Sequence, residues 1–148
     1  MASIDIVDEA FVAVSPAQFR SVIDDPARLS GWFADLELTV FMDRGLQGVR
    51  WSVTGSLVGS MEIWLEEFSD GTIVHYYLRA DPSSDGRTPQ PLSQDLAGRR
   101  RADRIRTQRA LSWKQEVWAL KDELERDRPV GSPPVASDPA EAVNVTAQ

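Results

Sequence analysis

The pattern of apolar and polar positions changes its period twice along the chain. Ile4 to Val14 reads as a first strand that ends at Ser15-Pro16, where Ser15 suits a helix N-cap and Pro16 the first helical turn. Ala17 to Ile23 predicts a short helix stopped by Asp24-Asp25-Pro26. Ala27 to Ala34, carrying Leu29, Trp32 and Phe33, predicts a second. From Leu36 the period falls from 3.6 to 2. Leu36, Leu38, Val40 and Met42 alternate with Glu37, Thr39, Phe41 and Asp43; Val49, Trp51 and Val53 alternate with Arg50, Ser52 and Thr54. Met61, Ile63 and Leu65 alternate with Glu62, Trp64 and Glu66, and Thr72 to Ala80 predicts the last strand. Residues 81–97 are polar with three prolines and predict a mobile loop. Arg99 to Arg126 then returns to the helical period, with Ala110, Trp113, Val117, Leu120 and Leu124 forming one apolar stripe.

The dipeptide Asp70-Gly71 suggests how the last two strands pair. A two-residue type I′ turn would set Ser69 opposite Thr72. Leu65 then faces Tyr76 and Ile63 faces Leu78 on one side of the sheet. On the other side Glu66 meets His75, Trp64 meets Tyr77 and Glu62 meets Arg79, two opposite-charge pairs and one aromatic pair in a single register.

A chain of 148 residues and 16.5 kDa makes one domain the natural expectation, here residues 1–128, with the proline-rich residues 129–148 as a disordered tail. The absence of cysteine excludes disulfides, a thiol nucleophile and thiolate metal sites, and the single His75 excludes a histidine cluster. No cofactor or metal is expected. No apolar run approaches a membrane span and the N-terminus lacks a basic, apolar signal start, so a cytoplasmic protein is expected. The net charge of −7 is uneven. Residues 1–97 hold 6 basic and 15 acidic side chains, whereas residues 98–109 hold 6 arginines and 1 aspartate. An acidic body is a poor partner for nucleic acid, and the arginine block reads as a solvated helix face.

The order of strand, two short helices, antiparallel meander and long C-terminal helix resembles the helix-grip fold of the START-like (SRPBCC) superfamily, the polyketide cyclase/dehydrase and lipid transport group. The resemblance covers about residues 3–126. It is carried by Ser15-Pro16-Ala17-Gln18-Phe19, by Asp25-Pro26 with Leu29, Trp32 and Phe33, and by Asp70-Gly71-Thr72-Ile73-Val74-His75-Tyr76. It implies an α+β class with an antiparallel sheet wrapped on the long helix. Members usually place six strands between the short helices and the long one; four are clear here, so the sheet is short by about one hairpin.

In that fold the long helix crosses the concave face, which by parity presents Leu38, Val40, Met42, Trp51, Val53, Met61, Ile63, Leu65, Val74, Tyr76 and Leu78. The resemblance therefore implies a module for a hydrophobic small molecule such as a lipid or polyketide; a polyketide cyclase/dehydrase-type enzyme, which the family name suggests, lacks support from the residues, so a non-enzymatic binder is expected. Its expected contacts are Trp51, Ile63, Leu65, Tyr76, Trp113 and Val117. Arg106 lies on the bearing of Val117 and Leu124, and Arg109 within about 60° of it, so both are expected at the mouth, either as anchors for an anionic head or paired at the rim with acidic loops. No catalytic residue is expected, because Tyr76 is the one titrating group on this face and acid–base work needs two. His75 is expected on the convex surface in an ion pair with Glu66. Asp24-Asp25 and Glu66-Glu67 read as solvated carboxylates, and Gly45, Gly48, Gly55 and Gly59 as turn residues. The alternative is an interaction or dimerisation module with a closed core. It would use Trp64, Phe68, Tyr77 and Ile73 on the convex face, and Leu111 and Trp118 on the flank of the helix. A void of ~300 Å³ or more between Trp113 and the sheet separates the two readings.

Overall fold

In the computed structural model, which describes residues 2–126, five strands and three helices follow in the order β1 (Ile4–Val12), α1 (Pro16–Ile23), α2 (Pro26–Trp32), β2 (Leu36–Asp43), β3 (Gly48–Gly55), β4 (Leu57–Phe68), β5 (Gly71–Pro82) and α3 (Leu96–Glu125). The expected tail at 129–148 lies outside the described residues. Ser15 caps α1 by accepting from the Gln18 amide, and Asp25 caps α2 through Ala27. Pro16 and Pro26 each follow their cap, so α1 starts where the sequence placed its signal, while Asp25-Pro26, expected only to stop α1, also starts α2.

The strands form one antiparallel sheet in the order β1-β5-β4-β3-β2, with β1 and β2 as its edges. Ile4, Ile6 and Val12 of β1, Trp51 and Val53 of β3, Met61, Ile63 and Leu65 of β4, and Val74, Tyr76 and Leu78 of β5 are buried on one face. Trp113, Val117 and Leu120 of α3 lie in the same core, with Phe19 and Ile23 of α1 and Phe33 after α2. The architecture is α+β, an open sheet gripping a long helix.

The register of the last hairpin corrects the expected one by two residues. Phe68 pairs with Gly71, so Leu65 faces Val74, Ile63 faces Tyr76, Trp64 faces His75 and Glu62 faces Tyr77. The loop is Ser69-Asp70, and of its two residues only Ser69 has positive φ, at 53°, which fits a type II′ turn rather than I′. Gly71 serves a different purpose. A Cβ there would stand 2.5 Å from the Val12 carbonyl oxygen and 2.7 Å from the Phe11 ring, so the glycine lets β1 close onto β5. A slip of two preserves parity, and the sides assigned to these residues stand.

A bulge in β2 corrects a second assignment. Val40 pairs with Trp51 but Met42 pairs with Arg50, so Phe41 is the inserted residue. Met42 consequently shares Arg50's side of the sheet and leaves the concave set. Asp43 turns inward instead, and its carboxylate accepts from Arg20 of α1 at 2.9 Å. Arg20 also donates to the carbonyls of Gly45 (2.6 Å) and Gly48 (3.1 Å) and to Asp24 (3.0 Å), which fixes α1 to the β2–β3 turn.

Residues 83–95 are tied down by their own polar groups. The Asp85 carboxylate accepts from the amides of Arg87 (2.8 Å) and Thr88 (2.7 Å), and these bonds lower its pKa. Leu92 N–H donates to the Ser3 hydroxyl at 2.8 Å, and Asp95 caps α3 through Gly98 at 2.8 Å.

Candidate functional site

The space between α3 and the sheet is filled by rings. Trp113 stacks on Tyr76 with centroids 4.1 Å apart, Phe33 lies parallel to Tyr76 at 6.4 Å, and Trp32 meets Trp113 edge-on at 5.9 Å. The cleft remaining beside them is about 10 Å³. Polar needs are met locally: Trp113 Nε1 donates to Asp8 at 2.9 Å, and Lys114 pairs with the same carboxylate at 2.9 Å. Burial drives the Tyr76 phenol well above its ordinary pKa, so it stays neutral. Ile63, Leu65, Tyr76, Trp113 and Val117 are all brought together as expected, but as packed core. The volume falls far short of the ~300 Å³ a small-molecule site needs.

The two arginines part company. Arg109 lies at the edge of this cluster and donates both terminal nitrogens to Asp35 before β2, one at 3.0 Å, and one also to Ser56 at 3.0 Å. Burial of Asp35 opposes ionisation, yet the bonds from Arg109 and Ser56 outweigh it and lower the carboxyl pKa. Arg106 is exposed and donates to Asp103 on its own helix, so it does not stand over the concave face. The reason is a drift of the contact line. The inward positions are Gly98, Ala102, Ile105 and Arg109 in the first half of α3, then Trp113, Val117 and Leu120. Spacings of four dominate, so a bearing measured from Val117 is wrong by most of a residue two to three turns upstream.

Open apolar space lies further along the concave face. A groove of about 400 Å³ runs between α1–α2 and β2–β3. Its walls are Ile23, Pro26 and Leu29 on the helices and Leu36, Leu38 and Val40 on β2, and its floor is Val49 and Trp51. Asp24 and Glu37 stand at the rim, with Asp43 nearby, whereas Arg20 has its donors committed. Of the residues expected to contact a ligand, Trp51 alone borders this groove. The alternation of Leu36, Leu38 and Val40 carried the signal for the rest, but sequence gives no distance between these strands and α2.

The convex face holds His75, which is 6 % exposed and therefore no surface residue as expected. Its ring stacks on Trp64 at 4.2 Å and lies parallel to Tyr77 at 6.5 Å. Nε2 meets Glu66 at 3.0 Å, and Nδ1 faces Glu9 of β1 at 3.4 Å. The expected Glu66 contact forms, across a diagonal and not a direct pair. Trp64 and Tyr77 are half-buried by this stacking, while Phe68 is exposed and meets Phe11 edge-on at 6.5 Å. Among the described residues no group of three His, Asp or Glu side chains is placed to hold a metal, and no helix is long and apolar enough to cross a membrane.

An open antiparallel sheet with two short helices after its first strand and one long helix across its concave face is a helix-grip fold. No family model and no curated relative matches the chain. Among solved structures it is similar to the Aha1 dimer from Colwellia psychrerythraea, with a TM-score of 0.55 at 14% identity over 85% of this chain and 99% of that one. DR_A0006 from Deinococcus radiodurans (0.45, 14% identity, 77% and 98% covered) and TTHA0849 from Thermus thermophilus (0.40, 12%, 78% and 98%) are more distant.

Proposed function

We propose that this protein is a non-catalytic binding module of the START-like (SRPBCC) kind that holds a compact hydrophobic molecule in the groove between α1–α2 and β2–β3. The observation that carries the reading is the groove itself, about 400 Å³ and lined by Ile23, Leu29, Leu38, Val40, Val49 and Trp51. That volume is within the range of small-molecule sites, and its lining is mostly apolar with a few polar groups. The rim supports a neutral or cationic head. Asp24 and Glu37 stand at the opening with Asp43 nearby, Arg20 is saturated, and Arg106 and Arg109 are each held by an aspartate. Asp24 is paired with Arg20 and Glu37 accepts from Thr54, which leaves the rim carboxylates in structural contacts and not poised as an acid–base pair.

The test is a titration with the neutral fluorophore N-phenyl-1-naphthylamine, followed by competition with dodecanol, dodecylamine and lauric acid. Wild type is expected to bind, with lauric acid the weakest competitor. Leu38→Glu should weaken binding by about tenfold or more, since a carboxylate would be desolvated in the groove, and Arg106→Gln should leave it unchanged. Absence of binding by wild type, or equal binding by Leu38→Glu, overturns the reading.

Association between copies is a second reading. It is favoured by the filled core at Trp113 and by the similar Colwellia protein being a dimer.

A further inference from the structure

The outward face of α3 carries an apolar pair with none of the described residues packed against it. Leu111 and Trp118 are 57% and 59% exposed, and they lie seven residues apart on the side opposite Trp113 and Val117. Arg104 continues the same line one heptad earlier, and Asp122 falls one turn beyond Trp118. Gln108, Gln115 and Ala119 between them are exposed as well.

The charges on this helix are arranged against its own interest. Arg99, Arg100, Arg101, Arg104, Arg106 and Arg109 crowd its first half, and Glu116, Asp122, Glu123 and Glu125 its second. A helix macrodipole favours the reverse order, acids near the N-terminus and bases near the C-terminus. The cations of the second half are engaged with β1: Lys114 with Asp8, and Lys121 with the Phe11 carbonyl at 3.0 Å. Among the described residues Arg99, Arg100, Arg101, Arg104 and Asp122 form no ion pair.

We infer that α3 pairs with the α3 of a second copy, antiparallel, through Leu111, Trp118, Arg104 and Asp122. The inference supplies a surface for the association reading and is independent of the groove. Placing Leu111 against the partner's Trp118 puts Trp118 against the partner's Leu111, with the two-fold axis close to Gln115. Such an isologous contact is closed, because each copy offers the same patch to the other. Seven-residue spacing keeps both apolar positions on one line of a straight helix pair. In this register Arg104, two turns before Leu111, falls level with position 125 of the partner, and its long side chain reaches back about one turn to the partner's Asp122; this occurs twice. The basic half of each helix lies along the acidic half of the other, and the two dipoles oppose. The charge order that is unfavourable within one helix becomes complementary between two.

The test is sedimentation equilibrium of the full chain at 50 and 500 mM NaCl, with circular dichroism to confirm that each variant is folded. A monomer–dimer equilibrium that weakens with salt is expected. Trp118→Ala should raise the dissociation constant by about tenfold or more, as loss of a central aromatic anchor does. Arg104→Glu and Asp122→Arg should each weaken association, and the double exchange should restore it. Because the chain has no cysteine, Gln115→Cys places a lone thiol beside the axis and should oxidise to a covalent dimer, while Arg100→Cys should not. A monomer at every concentration overturns both this inference and the association reading. A dimer untouched by Trp118→Ala and by the charge exchanges overturns this surface alone. A monomer in which Trp118 is shielded from acrylamide quenching would show residues 127–148 or another part of the same chain on this face, and also overturns it.

Discussion

Replacing Trp113 by alanine tests whether the space beneath α3 is solid. The indole is 2 % exposed, stacks on Tyr76 at 4.1 Å, meets Trp32 edge-on at 5.9 Å, and donates to Asp8 at 2.9 Å. Its removal deletes all three contacts and leaves a hole, for which Trp→Ala substitutions in cores lose about 3–5 kcal/mol. Relative to a typical net stability of about 5–15 kcal/mol, that is a large share. With a urea m-value of about 1–3 kcal/mol/M, the midpoint should fall by roughly 1–5 M. The hole would approach the roughly 150 Å³ of an engineered apolar cavity that takes up benzene. Indole added at millimolar concentration should therefore raise the midpoint of Trp113→Ala by more than that of wild type. Trp113→Phe keeps most of the ring area but abandons the bond to Asp8, so about 1.5–3 kcal/mol should be lost there, with no rescue by indole. A loss below about 1 kcal/mol for Trp113→Ala, with no uptake of indole, would show that the rings do not fill this space as described.

Gly71→Ala should destabilise by about 1–3 kcal/mol, because the new methyl meets the Val12 carbonyl and Phe11; hydrogen exchange should show protection lost first in β1, and unchanged exchange at Ile4 to Val12 would contradict the close approach. Asp35 ionises more readily folded than unfolded, so its contribution is full above about pH 4, the ordinary carboxyl range, and is lost as pH falls through the lower folded value. Urea midpoints from pH 6 to pH 2 should fall less in Asp35→Asn than in wild type, and parallel curves would refute the role given to Arg109.

The elements were legible where one face of one element decides the outcome. The N-cap at Ser15, the alternation from Leu36 to Leu65 and the stripe through Trp113 and Val117 each state a local preference that packing then confirms. What escaped were facts set by a neighbour distant in sequence. Asp70-Gly71 looks like turn chemistry, yet the glycine answers to β1 some sixty residues earlier. The bulge at Phe41 leaves the apolar–polar alternation of β2 undisturbed on paper while moving Met42 to the other side. Arg106 has the right bearing from Val117 and the wrong one from Ile105, because a long helix crossing a twisted sheet shifts its line of contact. His75 was assigned its face correctly, but its burial depends on Trp64 closing over it. The groove was hidden for the same reason: its lining residues were visible, the gap between α2 and β2 was not.

The place of β1 beside β5 has a consequence for how the molecule comes into being. Among the described residues β1 has no strand neighbour other than β5, whose pairing runs from Ile4 with Ala80 to Val12 with Thr72. On a ribosome adding about 5–20 residues per second, the first strand must wait several seconds for its partner to be made. During that interval Ile4, Ile6 and Val12, all buried at the end, are exposed on an unpaired ribbon. β2, β3 and β4 can pair in order as they emerge, while the amino-terminal strand must close a long loop, the kind of contact that slows folding most. Birth is thus the stage at which this chain most needs protection.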